Sequence, residues 1–348
     1  MTISVLLVVV LIGVGCDPMD KASDHSEAES VPTKLINEVP WVPLVEALAM
    51  YNVLPVPGEV GVFSFKQGQL AFSPDKQVFD LLGQKIWMGR ACLDLDGKLY
   101  IHIRDWETSL FPLFEMPKIF SAEKNLIVID AGHGGKDTGA ISSSLDTTEK
   151  DINLDIAIKL KTALAARGWQ VALTREKDTY IDLAPRVGIA QQFKPDFFIS
   201  IHVNSAGTDT ASGIETFYVT PMGIPSNLTH NYVDRIDYHY PANDFDASSY
   251  HLAWSVQRFL LIQTLASDRG VKKARFMGVL RNQSCPAILV ETGFLSNAKE
   301  GVLLAKEEYR QKIATGIARA FPNRKPSPSQ SDLVRKSIKL SHSGHKRK

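Results

Sequence analysis

Four side chains of this 348-residue chain stand where hydrolytic chemistry could be carried out. His133 closes the stretch LIVIDAGH, His202 closes FFISIH and Glu291 closes AILVE. Glu149 opens the helical pattern that follows the Gly-rich sequence GHGGKDTGA. The first three are the polar ends of apolar, strand-like runs, and in an open, mostly parallel sheet such ends share the edge at which ligands bind. Two neutral imidazoles with one carboxylate form a catalytic zinc set that leaves a fourth position for water. A second carboxylate can then act as base toward that water. Singly, each residue has a plainer role. A histidine at a strand end is ordinarily a hydrogen-bonded loop residue, and a glutamate in a first helical turn complements the helix dipole by about 0.3–1 kcal/mol. A carboxylate following four apolar residues is harder to dismiss, because burying it unpaired is expensive. The meeting of all four at one edge is what points to a site.

The elements that would position them follow from periodicity. From Asn125 onward NLIVID, WQVALT, DFFISIHV, IETFYV and AILVE read as strands. Between and after them TTEKDINLDIAIKLKTALAARG, LAPRVGIAQQF, SYHLAWSVQRFLLIQTLASDRG and AKEGVLLAKEEYRQKIATGIARAF read as helices. In the first helix Thr148 and Asp151 form an N-cap pair, Ile152, Ile156, Leu160, Ala163 and Leu164 make one apolar stripe, and Gly168 supplies the stop. The alternation predicts an α/β domain over residues 122–322, a mostly parallel sheet with helices on both faces. Ahead of it, residues 34–121 carry short strands and turns that predict a small β-rich domain, with a hairpin in CLDLDGKLYIHI about Asp96-Gly97. His102 alternates with Ile101 and Ile103 and reads as a strand-face residue. The stretch from Thr220 to about Ser248, which holds His230, Asp234, Asp237 and His239, has no helical period. Loops of that length are uncommon unless functional or disordered. It is expected to shape the substrate site, an autoinhibitory lid being the alternative.

The termini have their own character. An apolar run from Ile3 to Val14 is too short for a membrane span, which needs roughly 20 residues, and has the length of a signal-peptide core. Ending at Gly15-Cys16, it resembles a bacterial lipoprotein signal, which makes residues 1–16 a signal peptide and Cys16 a candidate lipidation site. Residues 17–33 read as a polar linker and 323–348 as a basic, disordered tail. The formal net charge is +1, yet eight Lys/Arg and one Asp from Arg324 onward leave 31 basic and 37 acidic residues before it. The folded part therefore offers no charge argument for nucleic acid. Cys92 and Cys285, far apart in apolar contexts, read as buried thiols.

Taken in order, IVIDAGHGGKDTGA, EKDINLDIAIKLKTAL, FISIHVNS and AILVETGFLSN resemble the zinc-dependent N-acetylmuramoyl-L-alanine amidases of bacteria (amidase type 3), over Asn125 to about Phe321. Those are cell-wall hydrolases of the phosphorylase/hydrolase-like fold. The resemblance implies one catalytic zinc ion with His133, Glu149 and His202 as its ligands and Glu291 as the catalytic carboxylate. The implied reaction is hydrolysis of the amide between the lactyl group of N-acetylmuramic acid and L-alanine. It implies peptidoglycan as substrate, an activator protein as a candidate partner, and an exported protein of the cell envelope or periplasm that meets a membrane only through a lipid anchor. A zinc peptidase cutting within the stem peptide and a non-catalytic wall-binding lipoprotein are the competing readings. The closeness of all four motifs opposes the first, and Glu291 opposes the second, since a binding module needs no base. Asn204 and Ser205 are candidates either to orient the groups that surround the ligands or to form a turn, and Arg175 and Arg186 for structural ion pairs. The β-rich region resembles, in hydrophobic spacing and turns alone, the N-terminal domain of copper amine oxidases.

Overall fold

The computed structural model describes residues 31–114, 124–142, 145–228 and 233–324. The signal peptide, Cys16, most of the linker, His230 and the basic tail from residue 325 lie outside the described residues.

The strands of the N-terminal region are β1 (Lys34–Ile36), β2 (Val39–Pro43), β3 (Leu54–Pro55), β4 (Val62–Phe65), β5 (Gly68–Phe72), β6 (Val78–Leu81), β7 (Gln84–Trp87), β8 (Leu93–Leu95) and β9 (Lys98–His102). Those that follow are β10 (Leu126–Ala131), β11 (Gln170–Leu173), β12 (Phe197–Asn204), β13 (Ile214–Tyr218), β14 (Asp268–Lys273) and β15 (Ala287–Phe294). The β-rich segment does not close on itself. Its strands β1, β2, β9 and β8 form a four-stranded antiparallel sheet, whereas β3 to β7 continue the large sheet, whose order is β11-β10-β12-β15-β13-β14-β7-β6-β5-β4-β3. The join is the parallel pairing of β7 with β14 through Ile86 and Val271. The expected hairpin joins β8 and β9, with Asp96 and Gly97 both at positive φ (54° and 76°), as a two-residue turn of the I′ kind requires.

The strands β11, β10, β12 and β15 are parallel neighbours, and β13 runs antiparallel to β15. All six residues of β10 are buried, as expected of a strand covered on both faces. On one face Ile127, Ile129, Ile199, Ile201, Ile288 and Val290 share a core with the helices Glu149–Ala166, Asp246–Thr264 and Glu307–Arg319. On the other, Val128, Phe198, Ala287 and Leu289 pack with the helices Leu183–Phe193 and Gly278–Arg281. Strand alternation therefore puts Phe198, Ser200 and His202 of β12 on the same face as Leu289 and Glu291 of β15.

The helix Glu149–Ala166 has Thr148 at its N-cap, but the Thr148 hydroxyl donates to the Asp151 carboxylate (2.5 Å) and caps no backbone N–H. Gly168, at φ 87°, ends it as expected. A second helix differs from expectation. SYHLAWSVQRFLLIQTLASDRG stops at Thr264 with Leu265 in the left-handed conformation, and DRGVKK becomes the buried strand β14.

The segment after β13 requires a correction. Because β13 runs antiparallel to β15, the chain leaves Tyr218 at the sheet edge opposite the one carrying His202 and Glu291. There Arg104 donates to Met222 O (2.7 Å), Asn227 to Met88 O (2.7 Å) and Arg275 to Pro221 O (2.5 Å) and Tyr238 O (2.8 Å). Among the described residues, the 220–248 segment is thus fastened to the N-terminal region and to the far edge. The described residues of the segment therefore stand away from the edge that carries His202 and Glu291 and neither line that edge nor cover it. Asp234 closes the segment on itself by accepting from Ser226 N (2.6 Å) and lies 3.9 Å from Arg275 at the far edge, and His239 faces Asp244 (3.3 Å).

A buried ion pair ties the two regions further. Lys273 and Asp105 are both fully buried, with Nζ 3.5 Å from Oδ1 and 2.6 Å from Ser109 Oγ. Asp105 also accepts from the backbone N–H groups of Gly89 (2.6 Å) and Arg90 (3.0 Å). Cys92 and Cys285 are buried free thiols, and burial pushes each up to about 12. No helix among the described residues is long and apolar enough to cross a membrane.

Candidate active site

The four residues singled out in the sequence meet at one edge. β10 ends at Ala131, and the chain turns sharply through His133, whose φ of 59° is left-handed. A non-glycine residue holds that conformation only where its surroundings enforce it. Here Arg186 donates to the His133 carbonyl (2.7 Å) and the Ala131 carbonyl (2.7 Å), while Arg175 donates to the carbonyls of Ala131 (2.9 Å) and Gly132 (2.9 Å). Arg186 also pairs with buried Asp130 (2.8 Å). Burial works to raise the Asp130 carboxyl, and Arg186 together with the Thr174 hydroxyl (2.7 Å) outweighs it, so Asp130 titrates below the usual range. The expectation of an ion pair holds for Arg186. Arg175 acts by clamping loop carbonyls.

His133 Nε2 lies 3.1 Å from Glu149 Oε1, and its Nδ1 lies 2.9 Å from Asp137 Oδ2. His202 Nδ1 lies 2.9 Å from the same Glu149 oxygen, and the two imidazoles meet edge to face, 5.0 Å between centroids. Glu149 is only 5% exposed, held from outside the pair by the N–H groups of Ala140 (2.9 Å, to Oε2) and Val203 (3.1 Å, to Oε1). Burial alone would raise its pKa. The hydrogen bonds and charges of His133 and His202 outweigh that and hold it far below the usual carboxylate range. The same contacts act on His133: burial lowers it, and Glu149 and Asp137 carry it above the ordinary histidine value.

The donor set fits a divalent cation. One ligand atom from each of His133, Glu149 and His202 falls within 4.8 Å of the others. The chain is also built to let these groups converge. A Cβ on Gly132 would lie 2.4 Å from the His202 ring, and one on Gly139 would lie 2.5 Å from Glu149 Oε2 and 2.7 Å from His133 Cδ2. Two imidazoles and a carboxylate match the ligand chemistry of a catalytic zinc site, and a carboxylate on the far nitrogen of a ligating histidine is the usual support for such a ligand.

Glu291 pairs in register with His202 across β12 and β15, so it stands beside the cluster on the same face. Its Oε2 is buried and has no hydrogen-bond partner among the described residues. Burial first, then the carboxylates of Glu149 and Glu215, push its pKa well above the usual range. The cluster thus holds one carboxylate whose pKa the imidazoles lower and one whose pKa burial raises. That division suits a ligand and a proton carrier respectively.

Three site residues escaped the sequence reading. Asp137 stands four residues after His133, a spacing that could have been noticed. Asn153, four residues after Glu149 on its helix, donates to Glu149 Oε1 (3.3 Å) and is a polar residue on an otherwise apolar buried face. Glu215 is 1% exposed inside IETFYV, where a lone acid in an apolar strand was the available signal. Asn204 does orient a neighbour, donating to Glu215 Oε1 (2.8 Å), and its own Oδ1 accepts from Ser205 N (2.8 Å).

Residues 127–323 match the sequence profile of the N-acetylmuramoyl-L-alanine amidase family. The N-acetylmuramoyl-L-alanine amidase LytC of Bacillus subtilis is 37% identical over 191 residues, which are 55% of this chain and 34% of LytC. The chain therefore spans about a third of that relative. The N-acetylmuramoyl-L-alanine amidase AmiA of Salmonella typhimurium is 35% identical over 263 residues, 68% of this chain and 88% of AmiA. Among solved structures, the catalytic domain of CwlV, an N-acetylmuramoyl-L-alanine amidase from Bacillus (Paenibacillus) polymyxa var. colistinus, is 34% identical, with 56% of this chain and 94% of that one covered and a TM-score of 0.47.

Proposed function

Because this chain belongs to the N-acetylmuramoyl-L-alanine amidase family, we propose that it hydrolyses the amide joining the lactyl group of N-acetylmuramic acid to L-alanine in peptidoglycan. In this reading His133, Glu149 and His202 hold one zinc ion, and Glu291 moves the proton. The observation that carries it is the convergence of three ligand atoms within 4.8 Å beside a buried carboxylate oxygen that has no hydrogen-bond partner among the described residues.

When bound, zinc supplies a Lewis acid for the scissile carbonyl and lowers the pKa of water from 15.7 to about 7. The chain's own residues do the rest. Asp137 engages His133 Nδ1 and thereby commits Nε2 to the cluster. Val203 and Ala140 fix both oxygens of Glu149 through their N–H groups, so the carboxylate cannot rotate away. Glu291 Oε2, which has no hydrogen-bond partner among the described residues, takes the proton of the attacking water and returns one to the leaving amine of L-alanine. Burial and the neighbouring carboxylates of Glu149 and Glu215 raise its pKa, which makes the ionised carboxylate a stronger base toward that water than an exposed glutamate would be.

Such a substrate lies outside the cytoplasm. Export through the apolar run that ends at Cys16, and acylation of that cysteine, belong to the same reading. Metal removal tests it. Metal-free chain should lose peptidoglycan hydrolysis and recover it as zinc is added, saturating at one ion per chain. Hydrolysis that persists through rigorous chelation would remove zinc from the proposal.

A further inference from the structure

Beside the cluster, a row of residues runs across the sheet from the metal-ligand strand to the N-terminal region. His202 on β12 pairs with Glu291 on β15, and Glu291 pairs in turn with Glu215 on β13. Glu215 is buried and saturated with donors: Arg269 Nε (2.8 Å) and Lys272 Nζ (2.6 Å) reach Oε2, and Asn204 Nδ2 (2.8 Å) reaches Oε1. The last of these bonds is unusual in its topology. Asn204 belongs to β12 and Glu215 to β13, and β15 lies between them, so the bond spans the strand that carries Glu291. It also holds β12 where its register with β15 shifts, between His202 and Asn204. Irregularities of this kind re-aim the side chains beside them.

The anchor of this bond extends into the N-terminal region. Lys272 lies under the Trp87 ring of β7, 5.2 Å from its centroid, and the Trp87 indole N–H donates to Arg269 O (2.9 Å). The two cations that grip Glu215 are thus themselves held by the strand that joins the β-rich segment to the large sheet.

We propose that Glu215 is a positioning residue of the site: anchored by Arg269 and Lys272 beneath Trp87, it clasps Asn204 across β15 and so fixes the irregular strand end that aims His202 and the strand that bears Glu291. The role rests on the reading of His202 as a metal ligand. It also assigns the β-rich segment a part in the catalytic centre, as the outer support of this clasp.

The test is zinc affinity, measured by competition with a chelating dye, alongside the melting temperature of the metal-free chain. Asn204→Ala removes the clasp and leaves Glu215 with both cations, so no buried charge is orphaned. The pair Glu215→Met/Lys272→Met removes the acceptor of the Asn204 bond together with the buried lysine and leaves only the part-exposed Arg269 without its carboxylate, because Glu215→Ala alone would strand a buried lysine and could fail to fold. Both variants should bind zinc about 10- to 100-fold more weakly, as losing the support of a ligating histidine does, and kcat should fall more than KM rises. Asn204→Ala should leave the metal-free melting temperature near that of the wild type. Unchanged zinc affinity in a folded Asn204→Ala chain would overturn the clasp. Failure of the wild-type chain itself to bind zinc would instead overturn the metal reading on which it rests.

Discussion

Glu149 and Glu291 show how environment assigns different work to the same side chain. Two imidazoles hold the buried Glu149 far below the usual carboxylate range, whereas burial of its carboxyl group and two neighbouring carboxylates push Glu291 well above it. Replacing Glu291 by Ala should lower turnover roughly 10²–10⁴-fold, the usual weight of a general acid–base group. Zinc content, measured by elemental analysis, should stay at the wild-type level, and loss of the metal would mean that Glu291 is a ligand. These residues were legible because each ends or opens a local pattern that can be read without knowing the fold. Their supports were not. Asp137, Asn153 and Glu215 have meaning only through the partners they meet: Asp137 on His133, Asn153 on Glu149, and Glu215 on groups from β12 and β14.

At the scale of elements, the strands with clean apolar runs were found where they were expected, and β14 was missed. DRG reads as the end of the preceding helix, and VKK, whose two lysines suggest solvent, falls in no predicted element. Both are buried, Lys272 against Glu215 and Lys273 against Asp105, so the pairing that makes the strand possible is tertiary and invisible to periodicity. Burial lowers the Lys273 ammonium, and Asp105 opposes that shift. Asp105→Ala should therefore destabilise the chain by about 3–5 kcal/mol, since the lysine is left charged and unpaired in the interior. Denaturant unfolding would measure this, and adding Lys273→Met should restore part of the loss, the Gly89 and Arg90 N–H groups still lacking their acceptor. A single variant as stable as wild type would show that the pair is not what joins β14 to the N-terminal region. The direction of β13 was equally hidden. IETFYV reads the same parallel or antiparallel, and only the ladder with β15 sends the 220–248 segment to the far edge.

Across the whole molecule, the β-rich segment and the α/β part share one sheet, and helical contacts reinforce the join. His251, on the helix Asp246–Thr264, places Nε2 2.6 Å from the carbonyl of Pro112 in the N-terminal region. Burial lowers its pKa to about 4, with the Pro112 bond opposing. The folded chain thus holds His251 neutral where the unfolded chain, near 6.5, would bind a proton. Its contribution is present above about pH 6.5 and is lost as the pH falls toward 4, amounting to about 3 kcal/mol over that window. The wild-type chain should lose this stability on acidification and a His251→Gln chain should not, as paired unfolding curves at pH 6.5 and 4 would reveal. The composition and charge of the sequence bounded what kind of molecule this is, but the continuity of its sheet depends on one parallel pairing, Ile86 with Val271, that no local pattern announces. The claim on which the rest depends is the bond that is cut. Peptidoglycan digested by the wild-type chain, with and without chelator, should be resolved by mass spectrometry into products. The account predicts chelator-sensitive release of peptides with a free N-terminal alanine and of glycan with unsubstituted lactyl groups. Cuts within the stem peptide, with the lactyl amide intact, would contradict it.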